Sequence, residues 1–180
     1  MHPMETRARL AIDYTRGALG LTPSNSPRLS PRSQEHFWDT CVDPGRQITD
    51  AQYRTMSIDY VRATAQRAIK DQCGNCLEYA AVVFEYLYLL GTGGRALELA
   101  AYQRPGDHVF VVLGRRSGRR RDALTWNDDA LIADAWANRI VTPQRYYVDM
   151  APHPHAVHPP RVNFRYIPPR ECRDMVLDAG

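Results

Sequence analysis

Lysine is almost absent from this chain, whose 180 residues contain one lysine, Lys70, beside 22 arginines. A genome rich in G and C produces such a bias, and so does selection against lysines that a eukaryotic cell can ubiquitinate. The sequence leaves both explanations open. The net charge is only +3, so the chain lacks the strong positive balance that is typical of proteins that bind nucleic acid.

Long apolar runs are also missing, and none approaches the roughly 20 residues that a transmembrane helix needs. The first seven residues lack the basic and then apolar pattern of a cleaved signal peptide. We therefore expect neither membrane insertion nor Sec-type export.

Cysteine is scarce, with four residues at positions 41, 73, 76 and 172. Their spacing does not resemble the dense disulfide framework of a small secreted protein, and a chain of this size does not need one. We expect reduced cysteines in a cytosolic compartment.

The N-terminal region differs in composition from the rest. A helical pattern in residues 1–21 is weakened by Gly17 and Gly20, and residues 22–33 then hold three prolines and four serines. Such a stretch cannot bury apolar surface. We predict a flexible or partly helical leader over residues 1–35 and one domain over residues 36–180.

Two helices are predicted in the first half of that domain. Apolar residues from Tyr53 to Ala68 recur at helical spacing, which indicates a helix from Thr49 to about Asp71. A second helix should run from Cys76 to Leu90 and end at Gly91. It is apolar almost all round, which is typical of a helix covered on most sides.

Strand patterns follow in the second half. They cover residues 96–102, 109–114 and 130–136, with turns at Pro105-Gly106 and Ser117-Gly118 and a further possible strand at 162–167. Helices followed by strands joined through short turns predict an α+β fold with an antiparallel sheet.

Three residues in these elements form the pattern of a catalytic triad. Cys76 begins a helix, where the dipole and a partnered histidine favour a thiolate. His108, in the segment Gly-Asp-His-Val-Phe-Val-Val, heads a strand and can act as general base and then as general acid. Asp134 ends another strand and can hold the second imidazole nitrogen, with Trp136 close enough to exclude water. Asp122, Asp128 and Asp129 compete for that role but have the context of turn residues.

The oxyanion of such a reaction needs donors. The backbone amide of Cys76 points out of the first helical turn, and the side chain of Gln72 or Asn75 can supply a second donor. Gly74 permits tight backbone geometry just before the nucleophile.

These motifs resemble the papain-like and transglutaminase-like cysteine hydrolases of bacterial effectors and toxins. The similarity covers roughly residues 70–140 and includes YopT-type proteases and the glutamine-deamidating domain of the Pasteurella toxin. It implies a central helix that carries the nucleophile, packed on an antiparallel sheet, with Cys76, His108 and Asp134 as nucleophile, base and orienting acid. Papain-like enzymes place a glutamine six residues before the cysteine, whereas Gln72 stands four before it.

The resemblance implies attack on a carboxamide carbon of a protein substrate in a host or rival cell, with no cofactor. We expect glutamine deamidation rather than peptide cleavage, because a short chain has little room for a long peptide groove; transglutamination stays possible. The setting it implies is an effector held in the bacterial cytoplasm, with its leader on a secretion chaperone, and then delivered without a Sec signal to a host cytosol.

Other interpretations remain. The fold could serve as an inactive binding module, or Cys73 and Cys76 could form a Cys-x-x-Cys redox pair, although a helix rather than a strand precedes them. His153, His155 and His158 could bind a metal with a cysteine, but their Pro-rich context favours solvated loop histidines. We predict no metal site.

Overall fold

The computed structural model describes residues 3–20, 56–102, 108–150 and 160–168. These ranges contain four α-helices: α1 (Pro3–Leu19), α2 (Ile58–Asp71), α3 (Cys76–Leu90) and α4 (Pro143–Met150). They contain five strands: β1 (Leu97–Tyr102), β2 (Val109–Leu113), β3 (Leu131–Asp134), β4 (Arg139–Val141) and β5 (Pro160–Tyr166). A short 3-10 turn covers Ala123–Thr125. The predicted α+β class is confirmed.

The five strands form one antiparallel sheet in the order β4-β3-β2-β1-β5. All five residues of β2 are buried, because β2 is central and both faces of the sheet are covered. Alternation along the strands divides the apolar side chains between two cores. Odd-numbered residues such as Val111 face α1 and α3, whereas even-numbered residues such as Phe110 face the side of α4.

Helix α3 lies at the centre of the larger core. Its residues from Cys76 to Glu85 are all buried, and Leu87 joins them. This agrees with the apolar composition on all sides of the helix, since packing against α1, α2 and the sheet removes most of its surface from water. Its first residue is thereby held against the ends of β2 and β3.

Helix α2 begins later than the sequence pattern predicts. Met56 and Ser57 are not helical, and the Ser57 hydroxyl caps the helix by accepting from the Tyr60 amide at 3.2 Å. The predicted start at Thr49 is therefore wrong for a continuous helix, because a serine N-cap closer to the core supplies the acceptor that the first turn needs. Residues 49–55 lie outside the described residues.

Helix α1 packs on the main core. Its buried residues Met4, Ala8, Ala11, Ile12 and Leu19 contribute to the cluster that contains α3. The Tyr79 hydroxyl donates to the carbonyl of Gly20 at 2.7 Å, which joins the end of α1 to α3. The rest of the predicted leader and its boundary at residue 35 lie outside the described residues.

Two elements after β3 were not predicted. Strand β4 and helix α4 lie between the predicted strands at 130–136 and 162–167, where no element was predicted. Within the described residues, no helix combines the length and the apolar character that crossing a bilayer requires.

Candidate active site

The first turn of α3 is built by a capping box. The Asn75 side-chain oxygen accepts from the Leu77 amide at 3.0 Å, and the Glu78 carboxylate accepts from the Asn75 amide at 3.0 Å. These reciprocal bonds satisfy amides that have no acceptor inside the helix. They fix the helix to begin at Cys76, so the thiol lies at the positive end of the helix dipole.

Gly74 allows this box to form. A Cβ atom added at Gly74 would lie 2.4 Å from the Cβ of Glu78, far inside van der Waals contact. Glu78 therefore folds back over residue 74 only because that residue has no side chain. The predicted role of Gly74 in tight geometry before the nucleophile agrees with this contact.

The two neighbouring cysteines differ in state. Cys73 is disulfide-bonded, whereas Cys76 is not, so they are not joined to each other. The expectation of reduced cysteines is wrong for Cys73. Sequence spacing could not reveal this, because disulfide formation depends on which cysteines the fold brings together.

His108 and Asp134 meet at the ends of adjacent strands. The Nε2 atom of His108 lies 2.8 Å from Oδ2 of Asp134, and both side chains are buried. With Nε2 on the carboxylate, Nδ1 is the nitrogen that remains for Cys76, whose side chain hydrogen-bonds the imidazole. The structure thus brings together all three residues predicted as a triad.

In this cluster, His108 and Asp134 each favour the charged form of the other. Burial alone lowers the pKa of His108, but the negative charge of Asp134 and hydrogen bonds to Asp134 and Cys76 outweigh it and raise the pKa to about 10. Burial alone raises the pKa of Asp134, but the charge of His108 and three hydrogen bonds hold it below the ordinary value of 3.8. A positive imidazole between the carboxylate and the thiol follows at neutral pH.

Tyr146 is a member of the site that sequence analysis missed. Its hydroxyl donates to Oδ2 of Asp134 at 2.6 Å, while the Ala137 amide donates to Oδ1 at 3.0 Å. Together with His108 these donors hold the buried carboxylate in one orientation. Because Tyr146 lies on α4, which has no clear sequence signal, only its spacing from Asp134 could have drawn attention to it.

Aromatic rings surround the imidazole and the carboxylate. Trp136 meets His108 edge-on, with ring centroids 5.0 Å apart. Phe110 and Tyr102 pack against Tyr146 at 4.8 and 6.4 Å between centroids. Apart from Trp136, which is partly exposed, these rings are buried, so the cluster excludes water from the His108–Asp134 pair.

The two predicted oxyanion residues have different environments. Gln72 is exposed and ends α2 in a left-handed conformation, with φ of 54°. Asn75 uses its side-chain oxygen to cap α3, so its amide nitrogen is the group that remains for donation. The oxyanion role of either residue stays a prediction.

The competing aspartates lie elsewhere. Asp129 pairs with Arg116 at 2.7 Å and with Arg95 at 3.2 Å, and hydrogen bonds from Asn127 and Arg116 lower its pKa to about 2. Asp122 precedes the 3-10 turn and Asp128 is exposed.

In the described part of the chain, no group of three or more His, Cys, Asp or Glu side chains could hold a metal ion. The histidines at 153, 155 and 158 lie outside it.

Tyr146→Phe tests whether this hydroxyl positions the carboxylate. We expect a loss of about 1.5–3 kcal/mol in stability, as for hydrogen bonds to charged groups. The lowered pKa of Asp134 contributes stability that is present above pH 4 or so and is lost as the pH falls through the folded value. Losing the Tyr146 donor raises that folded value, so acid unfolding should begin at higher pH.

Acid titrations followed by circular dichroism measure this shift. Tyr147→Phe is the matched control, because Tyr147 is the next residue on α4 and makes no hydrogen bond to Asp134. Equal acid midpoints for the two variants would show that Tyr146 contributes packing alone.

Comparison of the chain with protein-family models, with curated proteins and with solved structures finds no match.

Proposed function

We propose that this protein is a cysteine-dependent acyl hydrolase with Cys76 as nucleophile, His108 as proton carrier and Asp134 as orienting acid. The observation that carries the proposal is the buried imidazole bonded to both other side chains, with Nε2 on Asp134 at 2.8 Å. A nucleophile, a base and a group that orients the base are the three parts that covalent acyl transfer requires.

The chemistry follows from these positions. In the reactive state that we propose, the proton of Cys76 already lies on Nδ1 of His108, so a thiolate faces an imidazolium, and the sulfur attacks the carbonyl carbon of a carboxamide. The imidazolium then gives the proton to the leaving nitrogen, so an amine or ammonia departs and a thioester remains. His108 next takes a proton from water, whose oxygen attacks the thioester carbon. The C–S bond breaks, the sulfur takes the proton back from His108, and a carboxylic acid leaves.

The fold is consistent with a papain-like or transglutaminase-like arrangement. A covered helix begins with the proposed nucleophile, and an antiparallel sheet presents the histidine and the acid at the ends of neighbouring strands. Support for this finer assignment comes from the order of the three residues along the chain and from the elements that carry them.

The substrate that we favour is a glutamine side chain of a protein, with peptide-bond cleavage as the alternative. A chain of 180 residues offers little surface for a groove that binds a long extended peptide. The setting that we favour is a bacterial effector or toxin delivered to another cell without a Sec signal. The disulfide at Cys73 fits passage through an oxidising environment.

Intact-mass labelling with limiting iodoacetamide at neutral pH tests the thiolate–imidazole pair. Without reductant, Cys76 should alkylate rapidly, and His108→Ala should slow this at least about tenfold, because the imidazolium that stabilises the thiolate is lost. Cys76→Ala identifies the labelled site. Slow labelling of Cys76 that is indifferent to His108 would reject the catalytic role and favour a binding module.

Incubation with casein, a disordered protein substrate, then distinguishes the reactions. Deamidation adds about 1 Da per event, and proteolysis shortens the chain; both are outcomes of acyl attack. Cys73→Ala should retain activity in the fraction that folds, whereas a Cys-x-x-Cys redox protein would lose activity with either cysteine.

A further inference from the structure

A cavity lies among α1, α2 and α3, away from Cys76, His108 and Asp134. Its volume is 230 Å³, and its walls include Tyr14, Ile69, Val82, Glu85, Tyr86 and Leu89. Glu85 lies nine residues beyond Cys76 on α3, which places it about 14 Å along the axis and about half a turn around it. This cavity is therefore separate from the proposed catalytic centre.

Glu85 has an unsatisfied carboxylate oxygen. Its side chain is 9% exposed. Oε1 accepts from Gln66 Nε2 at 3.2 Å and lies 3.4 Å from Arg62 Nε, but Oε2 is buried with no hydrogen-bond partner. The guanidinium of Arg62 also lies over the Tyr88 ring, 5.5 Å from its centroid. Its contact with the Glu85 carboxylate is with Oε1, so it does not supply a donor to Oε2. A buried carboxylate oxygen without a donor is costly, and a ligand that supplies the donor removes that cost.

The walls of the cavity match a particular ligand chemistry. Tyr14 and Tyr86 pack together with ring centroids 4.9 Å apart, and aromatic rings beside a carboxylate attract organic cations. Ile69, Val82 and Leu89 supply apolar surface for an alkyl stem. The volume is below that of a typical drug-sized site, which suits a group the size of one side chain.

We propose that this cavity binds an alkylammonium or alkylguanidinium group, whose charged head pairs with the Glu85 carboxylate beside the Tyr14 and Tyr86 rings. The head group can come from a free amine or from a lysine or arginine side chain of a protein. The proposal is independent of the acyl hydrolase assignment, because it uses no residue of the triad.

Methyl NMR of protein labelled at Ile, Leu and Val tests the site. Titration with n-butylammonium and n-butylguanidinium should shift the methyl signals of Ile69, Val82 and Leu89 in the wild type. The neutral probe 1-butanol should shift them much less. A pentapeptide with one central lysine, compared with its acetyllysine form, distinguishes a protein side chain from a free amine as the source.

Substitutions make the test specific. Glu85→Gln keeps the shape but loses the charge, and should weaken cation binding about 10–100-fold, as expected for a charged hydrogen bond. Asp13→Asn is the matched control, because it removes one carboxylate from an exposed position on α1. Tyr14→Leu tests the aromatic wall at an exposed residue and should weaken the cation but not 1-butanol, which keeps the test usable if Glu85→Gln does not fold.

Three results would overturn the proposal. One is the absence of localised shifts with both cations, which would mean that water alone fills the cavity. Another is an equal response to 1-butanol, which would make the site merely apolar. The third is equal weakening by Asp13→Asn and Glu85→Gln, which would indicate general surface attraction.

Discussion

For the acyl hydrolysis that we propose, replacing Asp134 by asparagine is expected to lower kcat/KM by about 10³–10⁴-fold while the fold persists. The carboxylate supplies the negative charge that keeps His108 positive, since its charge is the main reason that the His108 pKa rises to about 10 despite burial. An uncharged amide removes that support, so the imidazole loses its proton at lower pH and no longer stabilises the thiolate.

Hydrogen-bond geometry adds to this loss. Oδ2 of Asp134 accepts from both His108 and Tyr146, and Oδ1 accepts from the Ala137 amide. If the asparagine oxygen stays on Ala137, its NH₂ group faces Nε2 of His108. The neutral ring then carries its proton on Nδ1, where it donates toward Cys76 instead of accepting the thiol proton.

Three measurements check this result: hydrolysis of a glutaminyl or peptide substrate, the alkylation rate of Cys76, and the ¹⁵N shifts of His108, which report the tautomer. Asp128→Asn is the matched control, because it makes the same chemical change at an exposed position in the loop before β3. A loss below tenfold, with the His108 proton still on Nε2, would mean that Asp134 does not orient the base.

The meeting of Cys76, His108 and Asp134 could be predicted because each residue carries a local signal. Cys76 follows a polar turn and opens an apolar segment, His108 precedes an apolar run, and Asp134 ends one. The spacing of apolar residues and the positions of turn residues locate the ends of helices and strands, and this needs no knowledge of long-range contacts. The order of helices and strands follows from the same signals.

The remaining features depend on contacts between distant residues. Tyr146 reaches Asp134 from α4, a short helix of eight residues. The state of Cys73 depends on tertiary proximity. The start of α2 at Ile58 depends on the Ser57 cap. The sequence before Ser57 has the apolar spacing of a helix too, so the pattern alone does not locate the first residue of α2.

Glu98 shows the same limit most clearly. It is the single acid in the apolar strand β1, and its side chain is completely buried. Arg115 donates to both carboxylate oxygens of Glu98, from Nε and from Nη2, each at 2.7 Å. The Nε of Arg165 lies 3.2 Å from Oε1 of Glu98. The guanidinium of Arg115 also lies over Trp126, 5.6 Å from its centroid. This bidentate pair joins the start of β1 to the loop after β2.

Glu98→Ala is expected to lower the free energy of unfolding by about 3–5 kcal/mol, measured from urea or guanidinium transitions. The large value arises because the Arg115 side chain, 4% exposed, keeps a buried charge that has lost its partner. Arg165 is 34% exposed and can turn to water, so it contributes little to that penalty.

A double variant separates the penalty of the orphaned charge from the value of the pair. Glu98→Leu with Arg115→Met replaces both ions by apolar groups of similar size, and should recover much of the stability lost in Glu98→Ala, because no buried charge remains. Asp13→Ala is the surface control; it breaks an exposed pair with Arg9 at 3.9 Å and should change stability by less than about 1 kcal/mol. If the double variant were as unstable as Glu98→Ala, the buried pair itself, rather than the isolated charge, would stabilise the junction between β1 and the following loop.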